Sequence, residues 1–464
     1  MVINRFCYDL FDRIENTSSR KEKEAIVKEV VDLANRGNDA AQVFLRLIQL
    51  ALDPRIRFNT RVVPASDNPP SESLIDFRQC ITLIEQLPYL RGNENEVHVK
   101  HIISQLDVYD AEIIARVILK NLRIGATAST FNKIQPGLIY EHPYMRCSSF
   151  DKSFFGKNIK FPCYSQLKAD GRYTDVVVTP EGKVKFMARS GLELAVSDFA
   201  GIRKAYEAYP GMVFMGEMLA LDEYGYEYPR EMSNGKLNSD EMTEDLIAQN
   251  RVRIYHWDVV PYADWVKGEC SLRYEDRFGS LQDAVNNINH PNIQVIETKI
   301  CNDMNDVVNH FTAFVSKGYE GTVVKDASLI WKDHTSKNQM KVKVEFEVEL
   351  KIVDVMEGSG KYAGRVGSLK CESECGQLKV GVGIGLKDKD RDALWKIKEQ
   401  IKGSILTVGA NGILAPSDSN EFYSLFLPRF KNIRSDKVQA DDLARIQEQF
   451  QAFVESFKLA HQSS

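Results

Sequence analysis

Lys168 lies in the cluster Gln166-Leu167-Lys168-Ala169-Asp170-Gly171-Arg172, between a β-type run at 159–164 and a second at 174–178. Strand-forming residues on both sides put Lys168 at the end of one strand and Gly171 at the turn into the next. A lysine held this way can act as a nucleophile: its amine attacks only when neutral, and desolvation or nearby cations lower its pKa. By itself the pattern also suits a hairpin with a surface lysine and an Asp-Gly turn. Other charged residues stand beside glycine at strand ends, in Arg189-Ser190-Gly191, Gly216-Glu217 and Glu320-Gly321-Thr322-Val323-Val324-Lys325. In the last of these an apolar run anchors a strand with a carboxylate at one end and an amine at the other. Lys341-Val342-Lys343 places two lysines on one face of a strand by the period of two, a pattern that on an exposed edge would guard against aggregation.

Two further stretches are chemically suggestive. Tyr255-His256-Trp257-Asp258 holds a histidine with no accompanying metal-ligand or carboxylate-serine pattern, so His256 reads as structural or exposed and Trp257 as core or base-stacking. Residues 426–437 interleave aromatic and basic side chains, with Arg434 and Lys437 on either side of Asp436, as a solvated loop or a clamp on a polyphosphate or a nucleic-acid strand would. Glu357-Gly358-Ser359-Gly360-Lys361 lacks the first glycine and the following Ser/Thr of a phosphate-binding P-loop, and the glycines at 381–385 lack dinucleotide spacing. An ordinary ATPase or dehydrogenase is therefore disfavoured.

The elements that must position these residues fall into three stretches, within the two to four domains that a length of 464 residues suggests. Up to about residue 134, apolar residues recur at helical spacing over 24–33, 40–52, 74–87, 97–106 and 111–122, which predicts an all-α domain of five to seven helices. Lys120 and Arg123 end the last of these, either complementing its dipole or reaching a phosphate backbone. After a linker at 136–149 come short β runs at 182–189, 213–219, 253–259, 293–296, 322–325 and 340–344, with helical spans at 198–208, 241–250 and 304–316. This predicts an α+β domain with antiparallel sheets. From about Glu345 a Gly-rich series of five or so strands predicts a small β-barrel, closed by a helix over 440–457.

Eight cysteines are scattered, and Cys371 and Cys375 lack the partners of a zinc site, so reduced, buried thiols are expected. The longest apolar runs are too short for a membrane helix and the first residues are not a secretory signal, which places the chain in a cytosol. A net charge of −5 argues against uniform electrostatic attraction to nucleic acid but leaves room for local basic surfaces.

Taken in order, Lys168-Ala-Asp-Gly-Arg172, Arg189-Ser-Gly191, Gly216-Glu217, Trp257-Asp258, Glu320-Gly-Thr-Val-Val-Lys325, Lys341-Val-Lys343 and Arg434-Ser-Asp-Lys437 resemble the ordered motifs of the ATP-dependent DNA ligases, part of the covalent nucleotidyltransferase superfamily. The likeness is greatest to the ligases of T-even-like bacteriophages and covers nearly the whole chain. It implies a helical DNA-binding domain (1–130), an α+β antiparallel-sheet nucleotidyltransferase domain (131–344) and a C-terminal OB-fold β-barrel (345–464). It also implies sealing of 5′-phosphate/3′-hydroxyl nicks through lysyl-AMP and adenylylated DNA, with an RNA ligase or a GTP-dependent capping guanylyltransferase as the alternative.

The resemblance assigns roles residue by residue. Lys168 would attack the α-phosphate of ATP, while Lys341 and Lys343 would hold that phosphate and lower the pKa of Lys168 by like-charge proximity. Gln166, Leu167, Arg172, Arg189, Glu217 and Trp257 would line the ATP site, with Trp257 against adenine. Glu217 and Glu320 would bind Mg²⁺, and Arg434, Asp436 and Lys437 would orient pyrophosphate. Lys120, Arg123 and Arg172 would contact DNA. Ser435 departs from the glutamate of many relatives. Expected partners are ATP, Mg²⁺ and nicked duplex DNA, bound by a monomer without a membrane.

Overall fold

The structure is a computed structural model that describes residues 2–194, 201–228, 230–237, 245–246, 248–249, 251–317, 319–359, 362–416 and 420–462. It divides into two compact units, Met1–His142 with Ser190–Leu192, and Pro143–Arg189 with Glu193–Ser464. Among the described residues no helix is long and apolar enough to cross a membrane.

The first unit holds seven α-helices: α1 Val2–Asn16, α2 Arg20–Asn35, α3 Asp39–Leu52, α4 Phe77–Ile84, α5 Gly92–Ser104, α6 Val108–Ile118 and α7 Ala128–Ile134. Their starts are set chemically. Ser19, Asn38, Asp76 and Asp107 each accept a backbone N–H of the first turn through a side-chain oxygen. Their apolar stripes meet in one core containing the fully buried Phe11, Phe44, Phe77 and Phe131. The helix expected over 111–122 stops at Ile118. Lys120 (φ 54°) and Arg123 (φ 58°) turn left-handed instead, and the Lys120 ammonium donates to the carbonyls of Leu50 (3.1 Å) and Asp53 (2.6 Å) at the end of α3. Lys120 thus satisfies the open carbonyls of a neighbouring helix rather than those of its own.

Among the described residues, the second unit contains two five-stranded sheets before residue 345 and a third after it. Of the first two, one runs in the order β1 (Arg146–Ser149), β12 (Thr335–Lys343), β10 (Gly321–Asp326), β2 (Cys163–Leu167), β9 (Thr298–Cys301). The other runs β4 (Val184–Ala188), β3 (Arg172–Val178), β5 (Met212–Ala220), β6 (Val252–Pro261), β8 (Ile293–Val295). Apart from the parallel pairs β1/β12 and β6/β8, the neighbours are antiparallel, as expected. Helices α8 (Ile202–Tyr206), α9 (Arg230–Leu237), α10 (Tyr262–Lys267), α11 (Tyr274–Ile288) and α12 (Met304–Val315) pack around them, and β7 (Glu269–Arg273) pairs with β11 (Ile330–Lys332). The expected span 198–208 is described only from residue 201, and most of 241–250 lies outside the described residues.

β2 and β3 follow each other in sequence yet belong to different sheets. The hairpin that residues 166–172 could have formed does not exist: the chain crosses from one sheet to the other between Leu167 and Arg172. Gly171 is required there, because a Cβ would lie 2.2 Å from the carbonyl oxygen of Met218.

The remaining strands form a third sheet, ordered β15 (Lys379–Val382), β14 (Val366–Glu372), β13 (Phe346–Glu357), β16 (Ile405–Ala410), β19 (Arg429–Arg434), with a ribbon of β17 (Gly412–Leu414) and β18 (Ser424–Phe426). Where a barrel was expected, the ladders leave this sheet open. Its two ends meet at one parallel bridge, Ile384 with Arg429, where the Phe430 N–H donates to the Ile384 carbonyl at 2.8 Å. Helix α13 (Asp388–Lys396) lies between β15 and β16 in the chain. The final helix α14 (Leu443–Gln462) buries Leu443 and Ile446 in a core shared with Val307, Phe311 and Leu350. The eight thiols are free: six are buried and Cys147 is half-buried, but Cys375, in the loop after β14, is exposed against expectation.

Candidate active site

The register of β2, β10 and β12 builds one wall of a cleft. Gln166 stands opposite Val323 and Val323 opposite Lys341; one step along, Tyr164 stands opposite Lys325 and Lys325 opposite Gln339. Lys168 extends the first series beyond the strand, its N–H donating to the Gly321 carbonyl at 3.0 Å, and Gly321 faces Lys343. The period of two therefore directs Gln166, Val323, Lys325 and Gln339 to one face, and all four line the cleft. Gly321 (φ 147°) permits this approach, since a Cβ there would lie 2.1 Å from the carbonyl oxygen of Val342.

The other sheet supplies the facing wall through the cross-strand pair Tyr173 and Glu217, with Trp257 from β6. Tyr144 and Arg189 complete it, the Arg189 guanidinium lying 4.6 Å from the centre of the Tyr144 ring. Tyr144 packs edge-on against Tyr173 at 5.0 Å, and Tyr173 against Trp257 at 5.8 Å. The space enclosed is about 330 Å³, within the size range of small-molecule sites. A second cavity of about 380 Å³ lies beyond Leu167, Ala169 and Asp170, which line both. It is bounded by Tyr255 and Tyr319 on one side and Asn411 and Phe426 on the other.

Electrostatics around Lys168 are dominated by carboxylates. Burial disfavours its ammonium, but Glu320, to which it donates a hydrogen bond, overrides this with help from Asp170 and Glu217, and holds its pKa above the ordinary lysine value. Lowering by Lys341 and Lys343 is thus not the prevailing effect here; the carboxylates prevail. Glu217 is shifted the other way: burial pushes its pKa to about 7 against the pull of Lys168 and of the Gly171 N–H, which donates to it at 3.1 Å. Lys325 is buried, donates to the Trp257 carbonyl at 3.3 Å and is lowered to about 8 by desolvation.

Of the residues singled out from sequence, Gln166, Leu167, Lys168, Arg189, Glu217 and Trp257 line the cleft. Glu320 meets Lys168 from the neighbouring cavity. Lys341 and Lys343 share the sheet with these residues without lining the cleft; Lys343 sits 3.8 Å from Glu345, and its pKa is lowered by burial. Arg172 is not brought in. Its position on β3 alternates with that of Tyr173, and its guanidinium donates to the Leu237 carbonyl at the end of α9. Arg434, Asp436 and Lys437 lie on and after β19 and line neither cavity. Arg123, in the other unit, is exposed, with Glu112 3.9 Å away. Sequence reasoning passed over Tyr144, Tyr173, Cys147 and Gln339 and gave Lys325 no role. Alternation from Val323 to Lys325 was the signal for the last of these.

Asp258, beside Trp257, has a structural task. Buried Arg277 grips it bidentately at 2.8 and 2.9 Å and also donates to the Leu329 carbonyl, fixing β6 to α11. His256 is buried, 2.6 Å from the Tyr206 hydroxyl, and desolvation lowers its pKa to about 4. Among the described residues no group of three or more His, Cys, Asp or Glu side chains comes together to hold a metal. Glu320 accepts a hydrogen bond from Lys168 and Glu217 feels the charge of that lysine; Mg²⁺ can be held by one or two such carboxylates when substrate phosphates and water complete its shell.

A lysine on the segment joining two mainly antiparallel sheets, flanked by carboxylates in a cleft of nucleotide size, suits an enzyme that carries a group covalently on nitrogen. The family model described as the ATP dependent DNA ligase domain matches residues 145–343, and that described as the DNA ligase OB-like domain matches residues 357–417. DNA ligases of the Enterobacteria phages T6 and T4 are each 27% identical, covering 93% of this chain and 96% of theirs. A solved structure titled Pmar-Lig_PreS3 shares the fold with a TM-score of 0.70 at 22% identity, covering 92% of this chain and 99% of its own. The chain belongs to the ATP-dependent DNA ligases.

Proposed function

We propose that the protein seals 5′-phosphate/3′-hydroxyl nicks in duplex DNA, with Lys168 as the group that carries AMP. The observation that carries this reading is Lys168 at the join between the sheets, in contact with Glu320 and facing the cleft. Neutral Lys168 Nζ attacks the α-phosphorus of ATP; a P–N bond forms, the bond to pyrophosphate breaks, and the lysine proton is lost. An oxygen of the 5′-phosphate then attacks the same phosphorus, and Lys168 leaves. The 3′-hydroxyl finally attacks the activated 5′-phosphorus and AMP departs. Each step is phosphoryl transfer, in which the protein chiefly positions groups and balances charge.

Gln166 suits adenine recognition. Its Oε1 is buried without a hydrogen-bond partner among the described residues, while its amide nitrogen is held by Thr298 Oγ1 at 3.1 Å. An unpaired buried acceptor favours a ligand with an amino group, as adenine has and the carbonyl edge of guanine lacks. Trp257 and Tyr173 offer aromatic faces for the base, and Arg189 offers charge for the ribose or the nick phosphate. Glu217 and Glu320 would hold Mg²⁺, which when bound supplies positive charge to the triphosphate oxygens.

Residues 345–464 act as an oligonucleotide-binding barrel, supported by the single bridge between the sheet ends. Arg434, Asp436 and Lys437 orient pyrophosphate in the first step. Residues 1–130 bind the duplex, with Arg123 the better placed of the two basic candidates there because it is exposed. Electrostatic contacts concentrated on inner faces make binding salt-dependent despite the net charge of −5.

The test is incubation with labelled ATP or GTP and Mg²⁺, followed by denaturation. An acid-labile, alkali-stable adduct with ATP alone is expected, absent in Lys168→Ala. Labelling that persists in Lys168→Ala would overturn the reading, and sealing of nicked DNA rather than nicked RNA duplexes would fix the strand.

A further inference from the structure

Glu349 lies on β13 directly opposite Thr407 of β16. Its carboxylate is nearly buried, 11% exposed, and the Thr407 hydroxyl lies 3.2 Å from each of its oxygens. On Oε1 converge Arg434 Nη1 at 2.8 Å and Lys437 Nζ at 3.4 Å. Arg434 also pairs with Asp436 through Nε at 2.7 Å, and Asp441 ties the following segment to the Glu349 backbone in both directions, at 2.8 and 2.7 Å. Both cations proposed to receive pyrophosphate are therefore already engaged by a carboxylate of the third sheet.

A carboxylate holding an arginine and a lysine on one oxygen presents to them what a phosphate oxygen would present. The N–H groups of Arg434 and Lys437 that now point at Glu349 must leave it to reach a phosphate oxygen, although Arg434 can keep its bond to Asp436 through Nε. We propose that Glu349 is a counter-ion latch: it occupies Arg434 and Lys437 in the nucleotide-free protein and is displaced when a pyrophosphate group takes its place. This rests on the reading of Arg434 and Lys437 as pyrophosphate-orienting. It adds that the first chemical step competes with an internal ligand, whereas sealing of DNA that already carries AMP, which involves no pyrophosphate, does not. Glu349 is thus a positioning residue that acts through Arg434 and Lys437.

Glu349→Gln keeps the shape and the Thr407 contact while removing the charge. If the latch is closed about nine-tenths of the time, opening it lowers the half-saturating concentrations of ATP in adenylation, and of pyrophosphate in the reverse reaction, by roughly three- to tenfold. Sealing of pre-adenylylated nicked DNA should be unchanged. Thr407→Val, which loosens Glu349 without touching its charge, should move both half-saturations in the same direction by less, and serves if the glutamine variant does not fold. Unchanged or raised half-saturations in folded variants, or a parallel loss of sealing, would overturn the latch in favour of a purely structural ion pair. Arg434→Ala separates the underlying reading. If it leaves pyrophosphate half-saturation at the wild-type value, the assignment of Arg434 fails; if it raises it while Glu349→Gln has no effect, only the latch fails.

Discussion

Replacing Glu217 by glutamine should stabilise the protein at alkaline pH while abolishing its chemistry. The carboxyl is moved from the ordinary glutamate value of 4.5 to about 7, chiefly by burial. A carboxyl whose folded pKa exceeds its unfolded one contributes stability that is complete below about 4.5 and is lost as pH rises through about 7, because the unfolded chain gives up the proton first. At about 1.4 kcal/mol per decade of proton concentration the full effect at pH 8 is about 3 kcal/mol. Some of the side chain remains solvated, which reduces the expected figure to about 1–3 kcal/mol. Glutamine has no proton to lose, and its carbonyl can still accept from the Gly171 N–H. Urea unfolding of both proteins at pH 5 and pH 8, without nucleotide or metal, should therefore show the variant gaining about 1–3 kcal/mol on the wild type between the two. A difference that does not vary with pH, or one that shrinks, would refute the placement of Glu217 in a desolvated site. Adduct formation with ATP and Mg²⁺ should be lost in the same variant.

Lys120 and Arg123, three residues apart, should separate cleanly. Lys120→Met strands the Leu50 and Asp53 carbonyls and should cost about 1–3 kcal/mol in thermal or urea unfolding, with the salt dependence of DNA binding unchanged. Arg123→Ala should leave stability within about 0.5 kcal/mol and reduce the slope of log affinity against log salt by about 1. Arg277→Met removes one partner of a buried, bidentate pair and should destabilise by about 3–5 kcal/mol, measured by urea unfolding. Gly171→Ala should fold but lose about 100-fold in adduct formation, because relieving the clash with Met218 displaces Lys168; labelling at the wild-type rate would count against the crossing as the device that aims the lysine.

Local patterns were legible where one residue's neighbours in sequence are its neighbours in space. Strand ends around Lys168, the period of two on β10 and β12, and the helical spacing over 40–52 all reflect that. What joins to what was not. Nothing local to residues 166–172 reveals that the flanking strands enter different sheets, because pairing partners such as Met218 and Val323 lie far along the chain. Arg172 lies apart from the cleft for a related reason: adjacency to Lys168 in sequence becomes separation once alternation turns it toward α9. α11 was missed although Tyr274, Phe278, Leu281, Val285 and Ile288 recur at helical spacing. Glu349 carried no signal beyond its place in an alternating strand, since its partners come from β16 and β19 and the residues that follow.

The stretch from Leu167 to Asp170 is one peptide segment thick and forms a wall common to both cavities. Any coupling between ligands on its two sides needs only this shared partition rather than a long path. If an occupant beside Tyr255 and Phe426 prefers one setting of that segment, it alters nucleotide affinity by some factor, and nucleotide must alter the occupant's affinity by the same factor. Lys168, the proposed nucleophile, lines the first cavity and touches the second through its hydrogen bond to Glu320.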